Sequence, residues 1–187
     1  EATEIMIECI TSRQNSLLTR IVRLQNSKKF RREQGLFVGD GTKLLEEAVR
    51  WDPQGLRAVV LREDVSCPKL PDHVRVVQVP RSLMESISQM EAPEGALFVS
   101  AMPEQRETEA QKGCLVLDGI QDPGNLGTIL RTADALDVPV ILTEGCCDPY
   151  NPKVLRASMG GVFRLPLYPA VQYTFCCCQL ETKKNPL

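Results

Sequence analysis

The chain is poor in several residue types. It holds a single histidine, His73, in 187 residues, and aromatic side chains make up only 5% of it. With one histidine far from any plausible nucleophile, hydrolysis by a serine–histidine pair is disfavoured; Ser158, beside Met159 and two glycines, reads as a packing residue. Eight cysteines are present, yet no C-x-x-C pair occurs among Cys9, Cys67, Cys114, the Cys146–Cys147 pair and the Cys176–Cys178 triplet. Zinc-ligand spacing is therefore missing, no metal site is expected, and free thiols in a reducing compartment are the simpler reading. No apolar run approaches the ~18 residues of a membrane helix. No G-x-G-x-x-G or Walker sequence is found, nor any internal repeat. The sequence begins at Glu1 rather than Met, so a targeting leader ahead of it stays open.

What remains is ordinary for a globular protein: 43% hydrophobic, 25% charged and a net charge of −2. Hydrophobic periodicity predicts a helix over residues 12–29 with Ser12 as its cap, a basic turn over 28–35 and a short strand at 36–38. A helix follows over 42–50, then strands at 56–62, 74–79 and 96–100, with a short helix at 80–90. This alternation predicts a small α/β domain over residues 12–100, and residues 1–11 give no signal. Residues 101–113 are polar and aperiodic, as in a linker. A second alternation fills residues 114–172: a strand to 117, a helix, a parallel strand at 138–143, a helix over 151–159 stopped by Gly160 and Gly161, and a strand at 162–167. The tail, residues 173–187, matches neither pattern.

Charge is uneven. Between Thr11 and Arg50 nine Lys and Arg face four acids, a local +5. A solvated helix face and a phosphate-contacting face explain it equally well on charge alone.

Two polar clusters stand out. One is Asp118, Asp122, Asn125 and Arg131, at the mouth of the strand–turn–helix LVLDGIQDPGNLGTILRTADA. Asn125 is placed as the helix cap, and Arg131 has Asp134 or Asp118 as a plain ion-pair alternative. The other is Asn151, Lys153, Arg156 and Ser158. Amides, cations and a hydroxyl near strand ends suit a phosphate- or ribose-bearing ligand.

The pattern Asp122-Pro123-x-Asn125-x-Gly127-x-x-x-Arg131-Thr132-Ala133, followed by NPKVLRASMGGVFRLP, closely resembles the SpoU (TrmH-like) RNA 2′-O-ribose methyltransferases of the SPOUT, or α/β-knot, superfamily. FVGDGTKLLEEAV resembles the opening of that family's substrate-binding domain, and the resemblance covers residues 12–168. It implies an α/β architecture: a small RNA-binding domain followed by an incomplete, Rossmann-like SPOUT methyltransferase domain. It implies methyl transfer from S-adenosylmethionine to a ribose 2′-OH of ribosomal or transfer RNA. Arg131 and Asn125 become the catalytic residues, Arg131 activating the hydroxyl or holding the adjacent phosphate. A guanidinium is a poor base, so stabilising a developing alkoxide is the easier part of that role. Arg20, Arg23, Lys28, Lys29, Arg31, Arg32, Lys153 and Arg156 become RNA contacts. The family's cofactor motifs, a G-N/Q-E core and a Ser-Leu-Asn segment, are not found after Leu167. The S-adenosylmethionine site is therefore expected to be incomplete, with no residues assigned to it. Homodimers, usual in the family, are then doubtful. An RNA-binding remnant without catalysis, or a generic nucleotide-binding domain, is the alternative. An intracellular or organellar address, mitochondrion or chloroplast, stays open.

Overall fold

The computed structural model describes residues 7–103 and 113–169. The predicted linker core at 104–112, the tail and the cysteine triplet lie outside the described residues.

The first sheet has five strands in the order β1-β4-β3-β5-β2: β1 (Ile7–Cys9), β2 (Leu36–Asp40), β3 (Leu56–Arg62), β4 (Arg75–Val79) and β5 (Ala96–Ala101). β1, β4 and β3 run parallel, while β5 is antiparallel to both β3 and β2. Alternate residues serve opposite faces. Val38, Ala58, Val60, Leu97 and Val99 pack with Leu18, Ile21 and Leu24 of α1 (Ser16–Asn26) and with Met84 and Ile87 of α4 (Arg81–Ile87). Each of those large apolar side chains contributes about 1.5–3 kcal/mol on burial. Phe37, Val59, Leu61 and Phe98 face the other way, toward Leu44, Leu45 and Ala48 of α3 (Thr42–Trp51). On edge strand β2, Gly39 faces Phe98 across the ladder, and a Cβ at Gly39 would collide with the Phe98 ring.

The second sheet is parallel, in the order β6 (Leu115–Leu117), β7 (Val140–Leu142), β8 (Leu167–Pro169). Helix α5 (Pro123–Ala135) crosses from β6 to β7, and α6 (Pro152–Ala157) and α7 (Gly161–Arg164) lead to β8. The two sheets share one core. Phe37 stacks on Tyr150 with ring centroids 5.0 Å apart, and Phe163 lies 6.1 Å from Phe37 and 6.3 Å from Phe98. Arg164 pairs with Asp134 of α5 at 2.7 Å and with Glu47 of α3.

Four sequence expectations change. Residues 7–9 form β1, which stays exposed and is held by backbone pairing with β4, so no apolar signal marks it. The basic turn is a helix, α2 (Lys28–Gln34), with Ser27 ending α1 and capping α2 by accepting from Phe30 N–H at 3.1 Å. Asn15, not Ser12, caps α1, its side chain accepting from Leu17 N–H at 2.9 Å. Finally, Val162–Phe163 continue no strand: left-handed Gly160 opens a short helix that buries Val162, and the strand waits until Leu167.

Candidate active site

The strand β6 ends at Leu117 and the chain turns through Gly119–Asp122 into α5. Asp122 caps the helix, its Oδ1 accepting the Asn125 N–H at 2.7 Å. Asn125 is therefore not the cap. Pro123 has no N–H to donate and fits the first helical position, which moves the cap one residue before it. The shift leaves the Asn125 carboxamide outside any cap bond. Leu126, Gly127, Leu130 and Ala133 turn inward, while Asn125, Thr128 and Arg131 share the exposed face. Gly127 is the contact point with α6: a Cβ there would collide with the Ala157 methyl and lie 2.8 Å from the Val154 carbonyl oxygen.

Beside this face lies a cleft of about 410 Å³. Gly119, Ile120, Gln121 and Asp122 line it from the turn, with Asn125, Thr128 and Ile129 from the helix. The volume is in the range of small-ligand sites. Sequence reading missed Gln121, Thr128 and Ile129 as wall residues; the i+3 and i+4 spacing from Asn125 is the signal that finds the helical pair. Arg131 stands one turn beyond Thr128, outside the wall and exposed. Neither ion-pair alternative holds for it. Asp134 is taken by Arg164, and Asp118 accepts from Thr143 Oγ1 at 2.6 Å. Among the described residues Arg131 makes no hydrogen bond or ion pair.

The second cluster forms around α6. Asn151 caps it by accepting from Lys153 N–H at 2.9 Å. Lys153 is exposed; Ser158 is fully buried and donates to the Leu155 carbonyl at 2.9 Å, a packing role. Arg156 is less available to RNA than Lys153. It is half-buried, its Nη1 is enclosed without a partner, and its charge acts on Asp40. Burial raises the Asp40 carboxyl above its usual range, against hydrogen bonds from Ser88 and Gln89 and the Arg156 charge.

Of the basic residues in the first domain, Arg20, Arg23, Lys29 and Arg32 are exposed and Lys28 is half-buried. Arg23 lies 4.1 Å from the Phe30 ring centre, and Arg20 donates to Gln34 Oε1 at 2.6 Å. Arg31 is the correction. It is 2% exposed and pairs at 2.6 Å with Asp148, itself 7% exposed, so it does not face RNA.

Comparison with known proteins places this geometry. Residues 112–185 match the SpoU rRNA methylase family, and residues 15–97 match the MRM3-like substrate binding domain. A TrmH-family protein from Porphyromonas gingivalis has a solved structure that superposes with a TM-score of 0.77 at 30% identity, over 92% of this chain and 68% of that one. The chain belongs to the SpoU family. The SpoU match runs on to residue 185, past residue 168 where the motif resemblance ends. An AdoMet-bound rRNA methyltransferase from Sinorhizobium meliloti superposes with a TM-score of 0.76 at 26% identity, over 92% of this chain and 69% of that one. The mitochondrial rRNA methyltransferase 3 of Xenopus tropicalis is 35% identical over 170 residues, 83% of this chain and 40% of the relative. The chain spans about half the length of the curated relatives it matches. In this chain α5 carries the motif's asparagine and arginine, both exposed, and the second polar cluster lies on and around α6, which packs against α5 at Gly127.

Proposed function

We propose that this chain carries the substrate domain and part of the catalytic domain of an enzyme that methylates a ribose 2′-OH in ribosomal RNA. The observation that carries the reading is the exposed Arg131, without a partner among the described residues, on the same helix as Asn125, which lines a cleft whose only ionic wall group among the described residues is Asp122. Among the described residues the cleft wall carries a carboxylate and no cation, which suits a sulfonium donor; Asp122 and Gln121 would help hold S-adenosylmethionine there. When bound, the cofactor supplies an electrophilic methyl group. Asn125 orients the ribose by its carboxamide. Arg131 holds the flanking phosphate and stabilises the negative charge that develops on the 2′-oxygen; a fixed guanidinium does this without reorganising. Arg20, Arg23, Lys28, Lys29 and Arg32 carry the RNA backbone on α1 and α2, with Lys153 on α6. The mitochondrial relative makes an organelle the first compartment to examine.

The test is transfer of labelled methyl from S-adenosylmethionine to ribosomal RNA, together with calorimetry of cofactor binding. Arg131→Ala should lower methylation at least ~100-fold, as removal of an oxyanion-stabilising donor does. Its cofactor affinity should stay at the wild-type value. Undiminished turnover in the variant refutes the role. A wild-type chain that binds RNA but takes up no S-adenosylmethionine is the non-catalytic remnant instead.

A further inference from the structure

We propose that Arg31, with Asp148, is a positioning residue that holds the basic helix α2 in register with the candidate active site. The inference rests on the reading above, in which α2 contacts RNA and the α5 stripe performs the chemistry. Arg31 sits in the middle of α2, between half-buried Phe30 and exposed Arg32, and is the one cation of the helix that is fully buried. Its Nη1 donates to the carbonyls of Leu24 at 2.7 Å and Gln25 at 3.2 Å, closing the end of α1. Its Nε donates to Asp148 Oδ2 at 2.8 Å, and Nη2 lies 2.6 Å from the same oxygen.

Asp148 belongs to the loop between β7 and α6, and it passes the restraint on in two directions. Its Oδ1 accepts the Tyr150 N–H at 3.1 Å and its carbonyl accepts the Asn151 N–H at 3.0 Å, which fixes the cap of the helix bearing Lys153. One residue earlier, Cys147 N–H donates at 2.8 Å to the carbonyl of Ile120, a wall residue of the cleft. One enclosed ion pair thus ties Lys28, Lys29 and Arg32 to both sides of the site. A buried ion pair is weak as a source of net stability, and fixing register is its best-attested use. Arg31 is the one fully buried side chain of α2; Phe30 packs, half-buried, against the α1 side of the core, within the first unit. An RNA strand lying on α2 would therefore meet the Asn125–Arg131 stripe at a distance set by this pair.

The experiment uses the full chain with Arg31→Met and Asp148→Asn, and Arg31→Lys as a milder variant should the others fail to fold. The probe is a short RNA hairpin carrying 4-thiouridine, with photo-crosslinks mapped by mass spectrometry to two regions, residues 28–32 and 119–131. Wild-type protein should crosslink at both. In the folded variants the crosslink at 28–32 should persist while that at 119–131 falls about tenfold, as misplaced reacting groups do. A purely structural role would lower thermal stability and leave the ratio of the two crosslinks unchanged, and that result overturns the proposal. Hydrogen exchange without RNA keeps the two readings apart. The Cys147, Tyr150 and Asn151 amides should lose protection in the variants while those of β7 keep theirs. Unaltered exchange there overturns the positioning role, whereas a wild-type protein that crosslinks RNA at neither region overturns the functional reading alone.

Discussion

Tyr150 is a phenol packed at a tilt against Phe37 where the two halves of the molecule meet. Burial, with the carboxylates of Asp148 and Asp52 nearby, pushes its pKa from the usual 10 up to about 12. The folded value lies above the unfolded one. Stability from the neutral phenol is therefore intact below pH 10 and is lost as pH rises from 10 toward 12, a loss of about 3 kcal/mol when complete. Urea melts across that range should show the decline in wild type and a flatter profile in Tyr150→Phe. Equal slopes in the two proteins would show that the phenol is not confined as described. The same residue-by-residue view explains what was legible in the site. Asn125 and Arg131 stand six apart in a motif whose spacing survives in any helix, and the sequence places them on one unit. The burial of Arg31 is not legible in the sequence, because nothing local distinguishes it from Lys29 or Arg32. Its partner lies 117 positions away, and only tertiary structure makes one of the four cations of α2 an internal one.

Among elements, α5 and α6 show how closely two helices can approach. Gly127 offers no side chain, and the Ala157 methyl and Val154 carbonyl occupy the room. Helix propensity alone favours Gly127→Ala by about 1 kcal/mol. The collision should outweigh this, because overpacking a tight contact costs about 1–3 kcal/mol. A thermal melt of Gly127→Ala is expected to show a lower midpoint; a higher one would mean the helices are looser than they stand here. Strands β3, β4 and β5 were readable because both of their faces are buried, giving near-continuous apolar runs. Helix α2 was not, since KKFRREQ has one apolar residue and no period. α7 hides for the opposite reason: VFRL has strand-like composition, and the left-handed Gly160 ahead of it sets a helical turn. Boundaries followed capping chemistry that spacing alone does not rank, as with Asn15 over Ser12 and Asp122 over Asn125.

For the whole molecule, the relevant fact is that one core serves both sheets. Phe37 and Phe98 come from the first sheet, Tyr150 and Phe163 from the second unit, and Arg164 spans α3 and α5. Two α/β alternations separated by a polar stretch read as two domains, and the sequence carries no mark that their aromatic residues meet. Scanning calorimetry should therefore give one transition for the described fold, and Phe163→Ala should lower all of it by about 2–4 kcal/mol, somewhat under a fully buried Phe deletion. Two resolved transitions, with Phe163→Ala moving only one, would refute a shared core.

Gly39 is where that shared core becomes visible to selection. Its missing side chain lets the Phe98 ring fold across an edge strand and reach Phe163. Any other residue would have to displace the ring, and with it the aromatic joint between the halves. In a survey of tolerated substitutions Gly39 would therefore look as constrained as a residue touching substrate, although it lies outside the cleft. The constraint is one of room, and it would persist in a descendant that had lost every chemical function.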